Sequence, residues 1–289
     1  MRLAALSYGH GVSPDRVSGR VVAVFPRACE ILTKDDSLIT LVTEAAGALP
    51  GGIVIDAPID FAFAGCVAEQ AEASVRGGTL RFADSPLTID LRAMTPWRSE
   101  IVALDLDIEN PWSLRAWELT RDALVADGRT VLFLSIARAP ILEVIDASHR
   151  LDEMGAKNAA ARLIGLGDGT TPAGDDFLVG HLGGLWSSTR RDAARLKFVT
   201  RAGQNIATMA PRTHRVSRAY LEAAATGEVS EKLNAVAVAM GTGSDAGLRE
   251  AAAAAIAVGH TSGACAVLGL LVGTAAFDQP ASARALIAL

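Results

Sequence analysis

The stretch Gly165-Leu166-Gly167-Asp168-Gly169-Thr170-Thr171-Pro172-Ala173-Gly174-Asp175-Asp176-Phe177 reads as a flexible loop, a helix start and two adjacent carboxylates. Gly165, Gly167 and Gly169 permit positive φ and let a ligand approach the backbone with no Cβ in the way. Thr171 followed by Pro172 predicts an N-cap and a first helical residue, because proline lacks the N–H that this position would leave unpaired. Phe177, Leu178, Leu182 and Leu185 carry the helix onward. Its free N–H groups and positive dipole end would face the loop, where a phosphate or carboxylate is stabilised. Asp175 and Asp176 lie about 100° apart around the axis, so one faces the loop while the other turns aside; Asp168 adds a third carboxylate. The alternative is a tight connection whose aspartates only complement the helix dipole, at about 0.3–1 kcal/mol each.

A second stretch, Gly259-His260-Thr261-Ser262-Gly263-Ala264-Cys265 and the apolar run after it, repeats the pattern of loop, Thr/Ser cap and helix. Gly174, Gly180 and Gly184 have the same mutual offsets as Gly263, Gly269 and Gly273. Small residues four apart on one face let another backbone come close. The spacing therefore predicts that the two helices cross at their glycine faces and bring both N-termini to one pocket.

Between them, Pro211 to Tyr220 concentrates Arg212, Thr213, His214, Arg215 and Ser217 near a helix start. Arg212 or Arg215 is a candidate for the charge that holds a carboxylate or phosphate, set against an ordinary surface arginine. Thr213 and Ser217 share a helix face, and Val216 and Tyr220 are expected on the buried stripe. His260 is a candidate general acid/base or oxyanion donor, with capping its own helix or a loop carbonyl as the competing role. His10, His149 and His181 are isolated, and His181 is expected to pack. No Cys/His/Asp triad has credible spacing, and no Walker-type lysine follows either loop.

A chain of 289 residues, half of them hydrophobic and with mean hydropathy +0.30, buries a substantial core. The apolar run Ala264 to Phe277 is glycine-broken and short for a bilayer, so it reads as a core helix. Tyr8, Gly9 and His10 interrupt any apolar signal segment, which makes cytoplasmic the default expectation. Cys29, Cys66 and Cys265 show no metal spacing and suit a reduced compartment. A net charge of -5, with arginines gathered only at Arg190-Arg191 and from Arg212 to Arg218, provides no footprint for nucleic acid or an anionic membrane.

Strand texture runs from about Gly19 to about Leu106: Arg20 to Phe25, Ile53 to Asp56, Gly65 to Val67, Thr79 to Phe82, Leu87 to Leu91 and Ile101 to Leu104. Turns fall at Gly51-Gly52, Gly77-Gly78 and Ser85-Pro86, and Leu38 to Leu49 is a candidate helix. After Asn110-Pro111 the period changes to 3.6 and alanine accumulates. Helical stripes follow at Leu114/Trp117/Leu124, at Ile141 to Met154 with a break near His149, at Leu196 to Met209, at Val216 to Ala223, at Leu233 to Met240 and at Leu248 to Ile256. Val131 to Ile136 is either strand or helix. The fold class is α+β, with a β-rich domain at 1–109 and an alanine-rich α-helical domain at 110–289 that carries both glycine-rich loop-helix motifs.

At Gly165 to Leu178, Thr213-His214-Arg215-Val216-Ser217 and Gly259 to Gly263, in that order, the chain resembles the AllH-like proteins. That family's namesake is similar to one subunit of a multi-protein oxamate carbamoyltransferase, which interconverts oxalurate and phosphate with oxamate and carbamoyl phosphate. The chain departs from the family pattern at Asp168 and Thr170, where a proline and an apolar residue stand, and at Cys265, where a carboxylate is frequent. The resemblance implies a cytoplasmic carbamoyltransferase-type subunit that handles a small anionic substrate beside partner proteins. In that reading Gly165, Gly167, Gly169, Thr170, Thr171, Gly174, Thr213, Ser217, Thr261, Ser262 and Gly263 bind substrate, and Arg212 or Arg215 balances its charge. Asp175, Asp176 and His260 are the candidate catalytic groups, with no resident cofactor. A non-catalytic assembly or ligand-sensing subunit is the second reading. A third has Asp168, Asp175 and Asp176 holding Mg²⁺ in a phosphoryl-transfer enzyme.

Overall fold

Valine, isoleucine and threonine recur in several short runs near the N-terminal end, and in the computed structural model, which describes residues 1–288, those runs and the Leu/Ala-rich Arg2–Gly9 pair into a barrel. The strands are β1 (Arg2–Gly9), β2 (Gly19–Val24), β3 (Ala28–Thr33), β4 (Leu38–Thr43), β5 (Gly52–Asp56), β6 (Glu72–Arg76), β7 (Thr79–Phe82), β8 (Thr88–Asp90) and β9 (Thr95–Trp97). Eight of these form a ring in the order β5-β4-β3-β2-β6-β7-β8-β1, closed by β1 against β5, which leaves none of the eight with an open edge. The short β9 lies parallel to β1 at Ser7–Gly9, beyond the end of β8. Inward-facing Val21, Ile31, Leu41, Ile53, Ile55, Leu80 and Ile89 fill the interior. Gly77 and Gly78, both at positive φ, make the two-residue hairpin between β6 and β7. These strands belong to a first compact unit, Met1–Arg98.

Three local expectations are corrected. Leu38 to Leu49 is not a helix: its first half is β4, buried on both faces, so its apolar run lacks the alternation that marks a strand. Ile101 to Leu104 is a 3-10 turn (Ile101–Ala103), and Gly65 to Val67 is represented only by an isolated bridge between Ala64 and Val67.

A second unit begins at Ser99. Its helices are α1 (Pro111–Asp127), α2 (Val131–His149), α3 (Glu153–Leu163), α4 (Ala173–Ser187), α5 (Ala193–Met209), α6 (Arg215–Ala224), α7 (Glu231–Gly241), α8 (Asp245–Ile256), α9 (Ser262–Ala276) and α10 (Pro280–Ile287). Val131 to Ile136 is therefore helical, and the break expected near His149 separates α2 from α3. Among the described residues no helix is long and apolar enough to cross a membrane. The chain is thus α+β, a β-rich unit followed by a helical one.

Helices α4 and α9 are buried nearly all round, as helices without a polar face must be. Around them pack α2, α3, α5, α6 and α7 against α4, and α1, α2, α7, α8 and α10 against α9. The two central helices run parallel and touch backbone to backbone. A Cβ on Gly180 would sit 1.8 Å from the Ala266 carbonyl oxygen, and one on Gly269 would sit 2.0 Å from that of Phe177. Gly184 and Gly273 repeat the contact one turn further along.

Gly180→Ala should therefore cost about 3 kcal/mol or more, since the intruded atom is backbone and cannot swing away. Gly169→Ala, where φ is +92° and nothing lies within 4 Å of a Cβ, should cost only about 1 kcal/mol through its strained φ. Urea denaturation of the two variants checks the ranking; equal midpoints would mean that the helices are not in backbone contact.

Candidate functional site

Because α4 and α9 are parallel, their N-termini emerge side by side, and the Thr171 and Ser262 hydroxyls meet at 2.9 Å. Neither hydroxyl caps its own helix. Helices α1, α3, α5, α7 and α8 are capped by Asn110, Asp152, Asp192, Ser230 and Ser244, whereas α2, α10 and the three helices that begin at the sequence motifs, α4, α6 and α9, have no side-chain cap. Pro172, expected as the first helical residue of α4, stands one position earlier, at the N-cap, in extended conformation. Thr171 is thereby released to face Ser262.

The first loop folds back on the helix it precedes. Gly165, Gly167 and Gly169 all take positive φ, as their freedom allows. The Leu166 carbonyl accepts the Gly174 N–H at 2.8 Å, and that of Pro172 accepts from Asp175 and Asp176 at 2.9 and 3.1 Å. At α9 the Gly263 N–H is likewise taken by Val258 at 2.9 Å. Several of the N–H groups expected to face a ligand are thus satisfied within the chain. What converges at the meeting point is a set of side chains.

The two adjacent carboxylates point to different partners, as their angular separation requires. Asp175 is buried; its Oδ1 accepts from the Gly165 N–H at 2.8 Å and its Oδ2 from the Thr213 hydroxyl. It ties the first glycine loop to the start of α6. Asp176 is equally enclosed, and its Oδ2 has no hydrogen-bond partner. Burial pushes the Asp176 carboxyl up to about 7; the Ser262 and Thr171 hydroxyls pull it down, and the charge of Asp175 raises it further. Cys265 is buried close enough to feel the charge of Asp176. Desolvation first, and Asp176 second, push its thiol up to about 12.

The remaining candidates are distributed unevenly. Arg212 is exposed and donates to the Ala161 carbonyl at 3.2 Å, near the end of α3, while its own backbone lies beside Gly165. Arg215 is exposed in the first turn of α6. Ser217 is buried with its hydroxyl unpartnered, and Leu221 and Ala224 share its face. The buried stripe of α6 is therefore one position out of phase with the expected Val216 and Tyr220. Thr170, Asp168 and the His260 ring are exposed, Thr261 is half-buried, and Gly263 packs against the Ala255 carbonyl. Among the described residues no three His, Cys, Asp or Glu side chains converge in a way that could hold a metal ion. His181 stacks on Phe177 and approaches the Ser148 hydroxyl at 3.3 Å, deep in the core, where burial pushes it down to about 3.

Sequence reasoning missed one residue beside this cluster, Arg129, whose guanidinium reaches the second glycine loop from the turn between α1 and α2. The signal available was Asp127-Gly128-Arg129, a charged pair around the glycine that ends a helix.

Barrel and glycine-paired helices together define the class: a two-part chain whose three ordered motifs meet at adjoining helix N-termini. The chain belongs to the AllH family. The family model described as oxamate carbamoyltransferase subunit AllH matches residues 163–274, which include all three motifs, and the one described as the AllH family N-terminal domain matches residues 4–96. Comparisons with curated proteins and with solved structures produce no match.

The raised Asp176 pKa fixes the sign of a stability difference. Between the unfolded carboxyl value near 4 and the folded value near 7, the folded state holds the extra proton, so this contribution is complete below about pH 4 and is lost as pH rises through about 7. Asp176→Asn keeps the neutral shape and should exceed the parent in stability by roughly 2–4 kcal/mol at pH 8, with the gap closing near pH 4. The depressed His181 acts in the opposite sense but is common to both proteins. Denaturant titrations at the two pH values check this; a gap that does not change with pH would contradict it.

Proposed function

We propose that this chain is a subunit of a carbamoyltransferase-type enzyme, like oxamate carbamoyltransferase, that holds a small anionic substrate such as carbamoyl phosphate, oxamate or oxalurate where α4 and α9 begin. The observation that carries this reading is the buried Asp176 carboxylate, with an open acceptor, beside two hydroxyls that cap nothing. The family to which the chain belongs supports the reaction class, since its model is described as such a subunit.

Asp175 has both oxygens engaged, which favours Asp176 as the reacting carboxylate and Asp175 as a brace. A group that titrates near neutrality can hold or release a proton at working pH. In the synthetic direction the oxamate amide nitrogen bonds the carbonyl carbon of carbamoyl phosphate and its N–H proton passes to Asp176. The carbon–oxygen bond to phosphate then breaks, leaving oxalurate and free phosphate. Thr171 and Ser262 donate to the oxygen that gains charge, and Arg212 or Arg215 balances the anion. The exposed glycines of the first loop supply the backbone freedom that lets substrate reach Asp176. Partner subunits complete the enzyme in this reading.

In the assembled complex, with oxamate and carbamoyl phosphate as substrates, Asp176→Asn should lower kcat about 100-fold or more. Ser262→Ala should cost roughly 10-fold in kcat/KM, the worth of one hydrogen bond to a charged group. Unchanged turnover for Asp176→Asn in an intact complex would contradict the catalytic role and leave the chain an assembly or ligand-sensing subunit.

A further inference from the structure

Helix α8 ends at Ile256, and only Ala257 to Thr261 separates it from the start of α9. Ala257, Val258 and His260 are exposed and Gly259 has no side chain, so packing does little to fix this turn. Its main chain is tied to the adjoining helices by the Val258 N–H, which donates to the Ala255 carbonyl at 3.2 Å, and by the Val258 carbonyl, which accepts from the Gly263 N–H at 2.9 Å; three further carbonyls are held from outside. The Arg129 guanidinium donates to the carbonyls of Ile256 at 2.9 Å, His260 at 2.9 Å and Gly259 at 3.4 Å. Its other edge forms a two-point pair with Asp127, at 2.7 and 2.9 Å. A planar fork is suited to this task, because one face of the group satisfies an anchoring carboxylate while the rest reaches several carbonyls.

The anchor is itself well placed. Asp127 is the last residue of α1, Gly128 turns the chain at φ +72°, and α2 starts two residues after Arg129. A cation here also meets the negative dipole end of α8. Arg129 thus joins the α1–α2 turn to the α8–α9 turn, and Thr261 and Ser262 follow directly on the residues it grips. Ser262 in turn bonds Thr171 and lies beside Asp176.

We propose that Arg129 is a positioning residue: it holds the second glycine loop so that the Ser262 hydroxyl stays in register with Thr171 and Asp176. This rests on the reading of that cluster as the site, but the placement itself is testable without catalysis. Asp176 is faced by Asp175 on its own helix, by Cys265 on α9 and by the hydroxyls of Thr171 and Ser262. Losing the Ser262 hydroxyl removes a group that favours the ionised form.

The test is a carbon-13 NMR titration of the full chain labelled at aspartate Cγ, with Asp176 assigned by Asp176→Asn, alongside kinetics of the assembled complex with carbamoyl phosphate and oxamate. Arg129→Ala should move the Asp176 midpoint upward by roughly one unit and lower kcat/KM about tenfold, as expected for one lost hydrogen bond to a charged group. Arg129→Lys, which keeps the charge but not the fork, should fall between Arg129→Ala and the parent. If Arg129→Ala does not fold, Asp127→Asn loosens the same anchor and should shift the midpoint in the same direction. An Asp176 midpoint at the parental value in a folded variant, with or without a lower Tm, would overturn the proposal. A shifted midpoint together with full turnover in Asp176→Asn would uphold the positioning and reject the catalytic reading of the cluster.

Discussion

Two helix backbones in direct contact, with a hydrogen atom wherever another residue would place a carbon, set the arrangement of the helical unit. Closeness of this kind is available only to glycine at Gly180, Gly184, Gly269 and Gly273. It also fixes direction, because these glycines interlock with the helices parallel. Parallel helices place two positive dipole ends together, an arrangement that like charges disfavour. Asp175 and Asp176 stand in the first turn of α4 at that end. The paired carboxylates therefore answer an electrostatic problem that the glycine contact creates, before any ligand is considered.

The way the problem is solved leaves chemistry behind. Asp175 is consumed by the Gly165 N–H and the Thr213 hydroxyl, and so welds two of the three motifs together. Asp176 is offset by about 100° and has the Ser262 and Thr171 hydroxyls beside it; its Oδ2 is left unmatched, and burial raises its carboxyl to about 7. A buried acceptor without a partner is expensive in a structural role. Its cost is readily understood where a substrate N–H completes it. The starts of α4 and α9 share the lack of a side-chain cap with α2, α6 and α10; what distinguishes them is that their hydroxyls meet each other beside Asp176.

Much of this was legible in the sequence, because glycine reports on backbone geometry directly. Matching offsets predicted a crossing, and the positive φ of Gly165, Gly167 and Gly169 follows from residue type alone. The change to period 3.6 after Asn110-Pro111 marked where the helices begin, and α1 starts there, at Pro111. The barrel was harder. Strand β4 is buried on both faces and so shows no alternation, while β1, with Leu and Ala in its middle, has the composition of a helix. In α6, Ser217 rather than Val216 faces inward, since a helix of ten residues with few strong apolar positions does not fix its own phase. Arg129 was out of reach for another reason: its partners are main-chain carbonyls far along the sequence, and carbonyls carry no residue-specific signal.

The beginnings of α4 and α9 meet at Thr171 and Ser262, and in the proposed function substrate is held there. Replacing Thr171 and Ser262 together by cysteine tests both halves at once, because the hydroxyls they replace are 2.9 Å apart. Mild oxidation in a background with Cys66, the half-buried thiol, changed to serine should close an intramolecular disulfide in the folded chain. The assembled complex should then lose carbamoyl phosphate turnover and regain it on reduction, relative to the unoxidised double variant. A chain that stays reduced, or one that cross-links fully with turnover unaffected, would contradict the account.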